Sequence, residues 1–365
     1  MDKYKLDTPV AIVDLDIMER NINDMADFAK NAGVKLRPHI KTHKTPEIAT
    51  MQLKAGANGI TCAKLGEAEV MFNSIAVDDI FIANQIVGDE KIQRLLKLSE
   101  KAKISVGVDS VEVAQSISDS AVKRGVKIPV IIKVDVGLHR TGVPYGKPTL
   151  ELAGKLVKMP GISLSGIYTH EGHVYNVTSI EELRRVGLES GQMMIETADS
   201  MRKSGINVEV ISVGATPSAK ITCTVEGITE NRPGTYVFND YNEIKLGVAR
   251  EENCALTILA TVISVPADDR AVIDAGTKSL TSDKAPAFGV YGLIKDMPDV
   301  KIVRAYEEHG VLKLDNAKAR LKVGDKLEII PNHVCPAVNL FDELVMIRND
   351  RVEATWRISA RGKLR

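Results

Sequence analysis

The segment Leu36-Arg-Pro-His-Ile-Lys-Thr-His-Lys-Thr-Pro46 places a lysine, Lys41, where the apolar run 34–40 ends against polar residues. Such a run is typical of a buried strand, and His39 and His43 flank the lysine. Burial and neighbouring cations favour the neutral, nucleophilic form of a lysine amine. Lys41 is therefore a candidate for Schiff-base chemistry, in contrast to a basic strand end that is merely solvated.

Two glycine-rich segments further along the chain could bind an anion. They contain Gly214-Ala-Thr216-Pro and Gly234-Thr235-Tyr236. Glycines let backbone N–H groups approach an anion closely, and hydroxyl side chains add donors. Each segment alone is also a common turn sequence. The two together, in a chain that also offers a well-placed lysine, indicate a phosphate site.

The segment Pro331-Asn-His333-Val-Cys335-Pro336 is the second chemical feature. In an extended strand, side chains two residues apart point the same way, so His333 and Cys335 could present an imidazole and a thiolate to one metal ion. This soft pair favours zinc over manganese or magnesium. The alternative is that Cys335 is a small buried apolar residue and His333 a hydrogen-bonded core residue.

Short apolar runs alternate with amphipathic segments over the first two thirds of the chain. The sequence predicts eight strands, at 34–40, 58–63, 79–84, 103–108, 128–135, 162–170, 208–215 and 228–237. Helical periodicity is clearest at 47–54, 65–72, 90–102, 111–124 and 180–204. Repeated strand–helix units imply parallel strands, and eight such units predict a (β/α)8 barrel.

Barrels of this type carry their chemistry at the C-terminal ends of the strands, and usually hold phosphate after strands seven and eight. The polar and glycine residues at the predicted strand ends are Lys41, Arg140, Tyr168, His170, Gly214, Thr216, Gly234, Thr235 and Tyr236. A phosphate site and a reactive lysine in one barrel are what pyridoxal 5'-phosphate requires.

The pattern changes after about residue 246. From Cys254 onward, strand-like segments follow one another with turn residues between them and hardly any helical periodicity. The sequence thus predicts a barrel at 12–246 and a C-terminal all-β domain at 247–365. The opening strand within 1–11 could pair with that β domain.

Composition excludes several classes of partner. Lys+Arg and Asp+Glu both number 48, so the net charge is zero and no overall field attracts nucleic acid or an acidic membrane. Neither a signal peptide nor an uninterrupted apolar run of membrane-spanning length is evident. The four cysteines are scattered, which suits a reducing compartment. We expect a cytoplasmic protein that binds small molecules.

The motifs together resemble one enzyme family. They are TPVAIVDLDIMERNI, RPHIKTHK, the Arg140 loop, GIYTHEG, SVGATPS, RPGTYVFND, EEHG and PNHVCPAVN. In this order, over nearly the whole chain, they resemble the D-threonine aldolase / D-serine dehydratase family. Its members are fold-type III pyridoxal-phosphate enzymes with an alanine-racemase-like barrel and a β domain.

The resemblance implies roles for the barrel residues. Lys41 would form the Schiff base with the cofactor, with Lys44 as its rival, Arg140 would face the phenolic oxygen, and His170 would lie near the ring. The phosphate would be held by Gly214, Thr216, Gly234, Thr235 and Tyr236.

For the second domain, the resemblance implies that His333 and Cys335 bind a catalytic divalent metal, with zinc favoured and manganese or magnesium as alternatives. Glu308 and His309 are candidates for acid–base work, with a solvated strand end as the alternative. The resemblance also implies a homodimer.

The expected reaction is cleavage of a D-configured β-hydroxy amino acid. A His-x-Cys pair resembles D-serine dehydratases, which eliminate to a keto acid and ammonia, whereas His-x-Asp resembles D-threonine aldolases, which give glycine and an aldehyde. A racemase of the alanine-racemase type and a non-catalytic pyridoxal-phosphate carrier are further alternatives. The His-x-Cys pair argues against the first, and the long β domain against the second.

Overall fold

The computed structural model describes residues 1–283, 289–314 and 320–365. The chain divides into two compact units: a barrel unit, Asn23–Gly234 with Gly362–Arg365, and a β unit, Met1–Ile22 with Thr235–Arg361. The division therefore falls at 22/23 and 234/235 instead of 12 and 246. Residues 235–246 group with the β unit because the backbone N–H groups of Tyr241 and Asn242 donate to the carbonyls of Pro331 and Asn332.

The barrel unit contains eight parallel strands in one sheet. They are Lys35–Leu36, Ile60–Cys62, Asp79–Ile82, Lys103–Val108, Ile128–Asp135, Ile162–Tyr168, Val210–Val213 and Glu230–Asn231. A parallel bridge between His39 and Thr61 joins the first strand to the second and closes the ring. The predicted (β/α)8 barrel is confirmed. A further short strand, Val143–Pro144, pairs with Ile128–Asp135.

Amphipathic helices connect these strands. They are Leu15–Asn31, which contains the first division point, and Pro46–Lys54, Leu65–Ser74, Asp89–Ser99, Val111–Arg124, Lys147–Leu156, Ile180–Lys203 and the short Ala219–Thr222. In Asp89–Ser99, Ile92, Leu95 and Leu96 form the buried face, which is the spacing expected of a helix packed on a sheet. The 3₁₀ turns are Ile40–Thr42 and Gly172–Asn176.

Two predicted strands are too long. The run 34–40 is a strand only at Lys35–Leu36, and 228–237 only at Glu230–Asn231. Pro38 and Pro233 interrupt the two runs, and a proline cannot donate a hydrogen bond to a neighbouring strand. In both cases the chain leaves the sheet and forms a 3₁₀ turn a few residues later, Ile40–Thr42 and Thr235–Val237.

The β unit is a largely antiparallel sheet. Its strands are Val10–Asp14, Leu256–Ala267, Arg270–Ile273, Leu293–Ile294, Lys301–Ala305, Gly310–Lys313, Lys326–Ile330, Glu343–Arg348 and Arg351–Arg357. Arg270–Ile273 pairs with both Leu256–Ala267 and Gly310–Lys313, so six of these strands form a closed ring. Val10–Asp14 lies between Leu256–Ala267 and Glu343–Arg348 and pairs with both.

Short helices complete the β unit. They are Lys3–Lys5, Thr235–Val237, Tyr241–Lys245, Glu251–Asn253, Thr277–Leu280 and Val334–Val338. Within the described residues of both units, every helix is too short or too polar to cross a membrane.

Candidate active site

Lys41 lies in the 3₁₀ turn Ile40–Thr42, directly after the first barrel strand. The Nδ1 atom of His39 accepts a hydrogen bond from the Lys41 backbone N–H at 3.4 Å. A Cβ atom at Gly234 would lie 2.9 Å from Oγ1 of Thr42 and 3.0 Å from the carbonyl oxygen of His39. The loop after the eighth strand therefore approaches the lysine turn so closely that a larger residue at 234 would require that turn to shift.

Lys44 has a different environment from Lys41. Its side chain is buried, and its Nζ atom lies 3.4 Å from a carboxylate oxygen of Glu67, which is also buried. The second oxygen of Glu67 accepts the backbone N–H of Ala63 at 2.7 Å. Lys44 is thus part of an internal ion pair at the start of the helix Leu65–Ser74, and this geometry favours Lys41 as the reactive lysine.

Two partly buried imidazoles, His39 and His170, face the positive charge of Lys41. Burial and that charge lower the pKa of His39 well below its usual value and the pKa of His170 to about 3. The Nδ1 atom of His170 lies 3.0 Å from the carbonyl oxygen of Gly214. Because a carbonyl can only accept, Nδ1 carries the proton and Nε2 is an acceptor. Both pKa shifts favour the uncharged form of the ring at neutral pH.

The loop after the seventh strand depends on a buried carboxylate. Glu171 accepts hydrogen bonds from the Gly214 N–H at 3.1 Å and from Oγ of Ser218 at 2.9 Å. Gly214 has φ 153°, and a Cβ there would lie 2.6 Å from the backbone nitrogen of Arg232. Glu171 was not among the predicted site residues, although it belongs to the GIYTHEG motif. Since the Gly214 N–H is already bonded, Gly214 shapes this loop and does not offer that donor to a phosphate. Thr216 follows on the same loop and is partly exposed.

Arg140 lies on an exposed loop that other polar residues hold at both ends. Asp135 accepts the backbone N–H of Gly137 at 3.0 Å, and Asp109 accepts that of Gly142 at 3.1 Å. The arginine between them is exposed. Its guanidinium therefore projects from a loop whose backbone is fixed on each side.

Next to this loop, Lys133 lies inside the barrel. Its Nζ atom donates to Oγ1 of Thr141 at 2.5 Å. Burial, together with the charges of Arg140 and Arg232, lowers the pKa of Lys133 to about 8. Lys133 was not among the predicted site residues, because the strand 128–135 has the hydrophobic pattern of a buried core strand.

Tyr168 lies deeper than predicted. Its side chain is 1% exposed, and its ring meets Phe81 edge-on at 4.9 Å. A Cβ at Gly107 would lie 2.2 Å from its hydroxyl, which has no hydrogen-bond partner among the described residues. The guanidinium carbon of Arg232 lies 5.1 Å from the ring centre. Tyr168 therefore packs within the barrel interior, with Arg232 above it.

The predicted extended conformation of the His333 segment was wrong. His333 is the N-cap residue of the short helix Val334–Val338 and is itself extended, whereas Cys335 lies in the first helical turn. Pro336 is compatible with that turn because the first N–H groups of a helix have no partner within it. Asp240 accepts the Val334 N–H at 2.9 Å and also the N–H groups of Asn242 and Glu243. One buried carboxylate thus caps two short helices.

His333 and Cys335 nevertheless interact through their side chains. Burial alone would lower the pKa of His333, but Cys335 and the carboxylates of Asp240 and Asp283 raise it to about 9. The Nδ1 atom of His333 lies 3.4 Å from a carboxylate oxygen of Asp283, and the Cys335 Sγ atom lies 3.8 Å from Oγ1 of Thr235. Imidazole and thiol are thus adjacent, as a two-ligand metal site requires. Among the described residues, no group of three or more His, Cys, Asp or Glu side chains is arranged to hold a metal ion.

The remaining predicted residues of the β unit lie in two different environments, one buried and one exposed. Thr235 and Tyr236 are buried in the 3₁₀ turn Thr235–Val237. His309 is exposed on the hairpin turn between the strands Lys301–Ala305 and Gly310–Lys313. The Glu308 carboxylate lies 2.9 Å from Nζ of Lys278. The structure thus places these two acid–base candidates on a surface turn of the β unit.

Comparison with known proteins agrees with this arrangement. Residues 13–242 match the model of the alanine racemase N-terminal domain, and residues 255–347 match a putative serine dehydratase domain. D-threonine aldolase of Arthrobacter sp. is 37% identical over 98% of this chain and 93% of its own.

Solved structures give the same result. D-threonine aldolase from Filomicrobium marinum superposes with a TM-score of 0.91 at 30% identity, over 99% of this chain and 98% of its own. A cysteine-to-alanine mutant of D-threo-3-hydroxyaspartate dehydratase in the metal-free form has a TM-score of 0.90 at 34% identity, over 98% of both chains. This chain therefore belongs to the D-threonine aldolase / D-serine dehydratase family of pyridoxal-phosphate-dependent lyases with an alanine-racemase-like barrel.

Proposed function

We propose that this protein is a pyridoxal-phosphate- and divalent-metal-dependent lyase that converts a D-configured β-hydroxy amino acid into a keto acid and ammonia. The observation that carries the proposal is that one chain holds both a partly exposed Lys41, in the barrel unit, and a His333 and a Cys335 side chain that interact with each other, in the β unit. Retro-aldol cleavage to glycine and an aldehyde is the second candidate, favoured by the 37% identity to a D-threonine aldolase.

Lys41 has two tasks in this proposal. Its amine would hold the cofactor covalently and, when free, would take the proton from Cα of the substrate. When bound, pyridoxal phosphate supplies an electron sink for the charge left on Cα. The lowered pKa values of His39 and His170 favour uncharged rings beside Lys41 at neutral pH. Rings without positive charge favour an amine that can accept a proton.

The backbone around Lys41 supports cofactor binding. Gly234 brings the loop after strand eight against the lysine turn, and Glu171 orders the loop after strand seven. Thr216, Gly234, Thr235 and Tyr236 remain the residues that we propose for the phosphate. Arg140, on its fixed loop, is proposed to bind the phenolic oxygen.

His333 and Cys335 would hold the metal, with zinc favoured by this nitrogen–sulfur pair. A bound divalent ion supplies Lewis-acid stabilisation to the departing β-hydroxyl group. Both protein groups must lose their protons to act as ligands. Two protein ligands leave positions for water and substrate, as a catalytic site requires. The thiolate of Cys335, in place of the carboxylate of a His-x-Asp pair, is the reason for placing elimination first.

The test is a product assay on the purified protein loaded with pyridoxal phosphate and zinc. D-serine, D-threonine and 3-hydroxy-D-aspartate are offered separately, and keto acid, ammonia, glycine and aldehyde are measured. We expect keto acid and ammonia, with loss of product after chelation and recovery with zinc. Glycine and acetaldehyde from D-threonine would instead establish the aldolase, and racemised substrate without cleavage would exclude both lyases.

A further inference from the structure

We propose that Asp283 is a positioning residue that fixes the ring of His333, so that Nε2 of the imidazole is the atom offered to the metal. This inference rests on the proposed metal site and adds a residue that does not itself bind the ion. Asp283 lies fifty positions before His333 in the sequence, outside the His-x-Cys segment.

The carboxylate of Asp283 lies nearest to one particular ring nitrogen. Oδ2 of Asp283 lies 3.4 Å from Nδ1 of His333. A neutral imidazole that donates Nδ1–H to a carboxylate keeps its lone pair on Nε2. Histidine ligands of metals usually donate their other N–H in this way, and the contact sets both the tautomer and the ring orientation.

The main chain at Asp283 is held in place from two directions. The side-chain amide of Asn332, which is 1% exposed, donates to the carbonyl oxygens of Asp283 and Val290, each at 2.7 Å. The Asp283 N–H donates to Oγ1 of Thr281 at 3.1 Å. Asn332 immediately precedes His333, so one residue fixes the backbone of Asp283 next to the imidazole that its carboxylate contacts.

The same contact contributes little to folding. Both side chains are about half exposed, 44% for His333 and 51% for Asp283, and ion pairs in contact with water stabilise proteins only weakly. A positioning role and a structural role therefore predict different results: the first affects metal affinity at unchanged stability, and the second affects both together.

The experiment compares Asp283→Asn with Asp342→Asn in the full-length, pyridoxal-phosphate-loaded protein. Asp342 belongs to the same unit and is 85% exposed in an ion pair with Arg361, so it is a matched control. After metal is removed, zinc affinity is measured by competition with a chromogenic chelator, and the Co²⁺ absorption spectrum reports the ligand geometry. Thermal unfolding of each apo-protein is recorded in parallel, and His333→Ala defines loss of the site.

We expect Asp283→Asn to bind zinc about 10- to 100-fold more weakly and to alter the Co²⁺ spectrum, with an unfolding temperature equal to that of Asp342→Asn. Asp283→Glu, which retains a carboxylate, should recover part of the affinity. Zinc affinity equal to that of the control would overturn the inference, as would a loss of affinity that is matched by a lower unfolding temperature. If wild type and His333→Ala bind zinc alike, the metal site itself is wrong, and this inference ends with it.

Discussion

At the scale of single residues, similar side chains in this chain differ because their surroundings differ. Lys41 and Lys44 are three positions apart, yet Lys44 is buried against Glu67 whereas Lys41 lies partly exposed in a turn bordered by Gly234. The cysteines divide in the same way. Burial raises the pKa of Cys223 to about 12, whereas Cys335 is partly exposed beside an imidazole. Residue type alone does not distinguish these cases.

The two lysines give a direct test at this scale. Lys41→Ala should abolish the absorption band of the covalently bound cofactor at about 420 nm, because no other amine replaces it. Lys44→Ala should keep the band but lower the free energy of unfolding by about 3–5 kcal/mol, since it leaves Glu67 buried and unpaired. Absorption spectra and urea unfolding of both variants provide the measurement. A band that persists in Lys41→Ala and disappears in Lys44→Ala would reverse the assignment.

At the scale of elements, short helices and turns carry the candidate site residues. These elements were predicted from the sequence less well than the barrel strands. Alternating strands and helices follow from hydrophobic periodicity, which is why the eight barrel strands were predicted. The helix Val334–Val338 has only five residues, which is too few to show the hydrophobic periodicity of a helix in the sequence. It forms because Asp240, about ninety residues earlier in the sequence, accepts the Val334 N–H. Local pattern could not predict a cap supplied by tertiary packing.

The substitution Asp240→Asn tests whether this carboxylate holds the two short helices in place. In Asp240→Asn only one oxygen remains, so one of the two helix starts loses its acceptor. We expect the free energy of unfolding to fall by about 1–3 kcal/mol and zinc affinity to weaken, because the His333 segment is no longer fixed.

Ser110→Ala is the control for that prediction. Ser110 caps a single helix, Val111–Arg124, in the barrel unit, and its loss should cost about 1 kcal/mol without an effect on zinc. Urea unfolding and chelator competition measure both quantities. Equal loss of zinc affinity in the two variants would show that Asp240 acts through general stability alone.

At the scale of the whole molecule, composition and strand order were sufficient for the architecture but not for the site. A barrel and a β domain follow from the change of periodicity near residue 246. Partners such as Glu171 for Gly214 and Asp283 for His333 lie 43 and 50 positions apart in the sequence. Their pairing depends on how strands and loops assemble in three dimensions, and charge or spacing along one chain does not specify it.

Buried histidines set the response of the whole fold to acid. His43 is fully buried, with its ring between Thr45 and Gln52, and burial lowers its pKa to about 4. The unfolded chain binds a proton near the ordinary histidine pKa of about 6.5. Between these two values the unfolded state holds more protons, so folding stability falls as the pH falls.

We therefore expect His43→Gln to make the free energy of unfolding less dependent on pH, by up to about 1.4 kcal/mol per pH unit between about pH 6 and pH 5. His309→Gln, at an exposed turn, serves as the control and should keep the wild-type slope. Urea unfolding at several pH values measures both. An unchanged slope in His43→Gln would mean that this ring is not held neutral by the fold.

The position of the strand Val10–Asp14 also has a consequence during protein synthesis. Its two neighbours in the sheet are Leu256–Ala267 and Glu343–Arg348, which the ribosome makes some 245 and 330 residues later. At about 5–20 residues per second, this first strand leaves the ribosome tens of seconds before its last partner exists. Most barrel strands pair with near neighbours in the sequence and can assemble during that interval, whereas the first, Lys35–Leu36, pairs with Glu230–Asn231 only once that later segment has been made. Until both partners have been made, the strand Val10–Asp14 lacks the neighbours that complete its hydrogen bonding in the sheet.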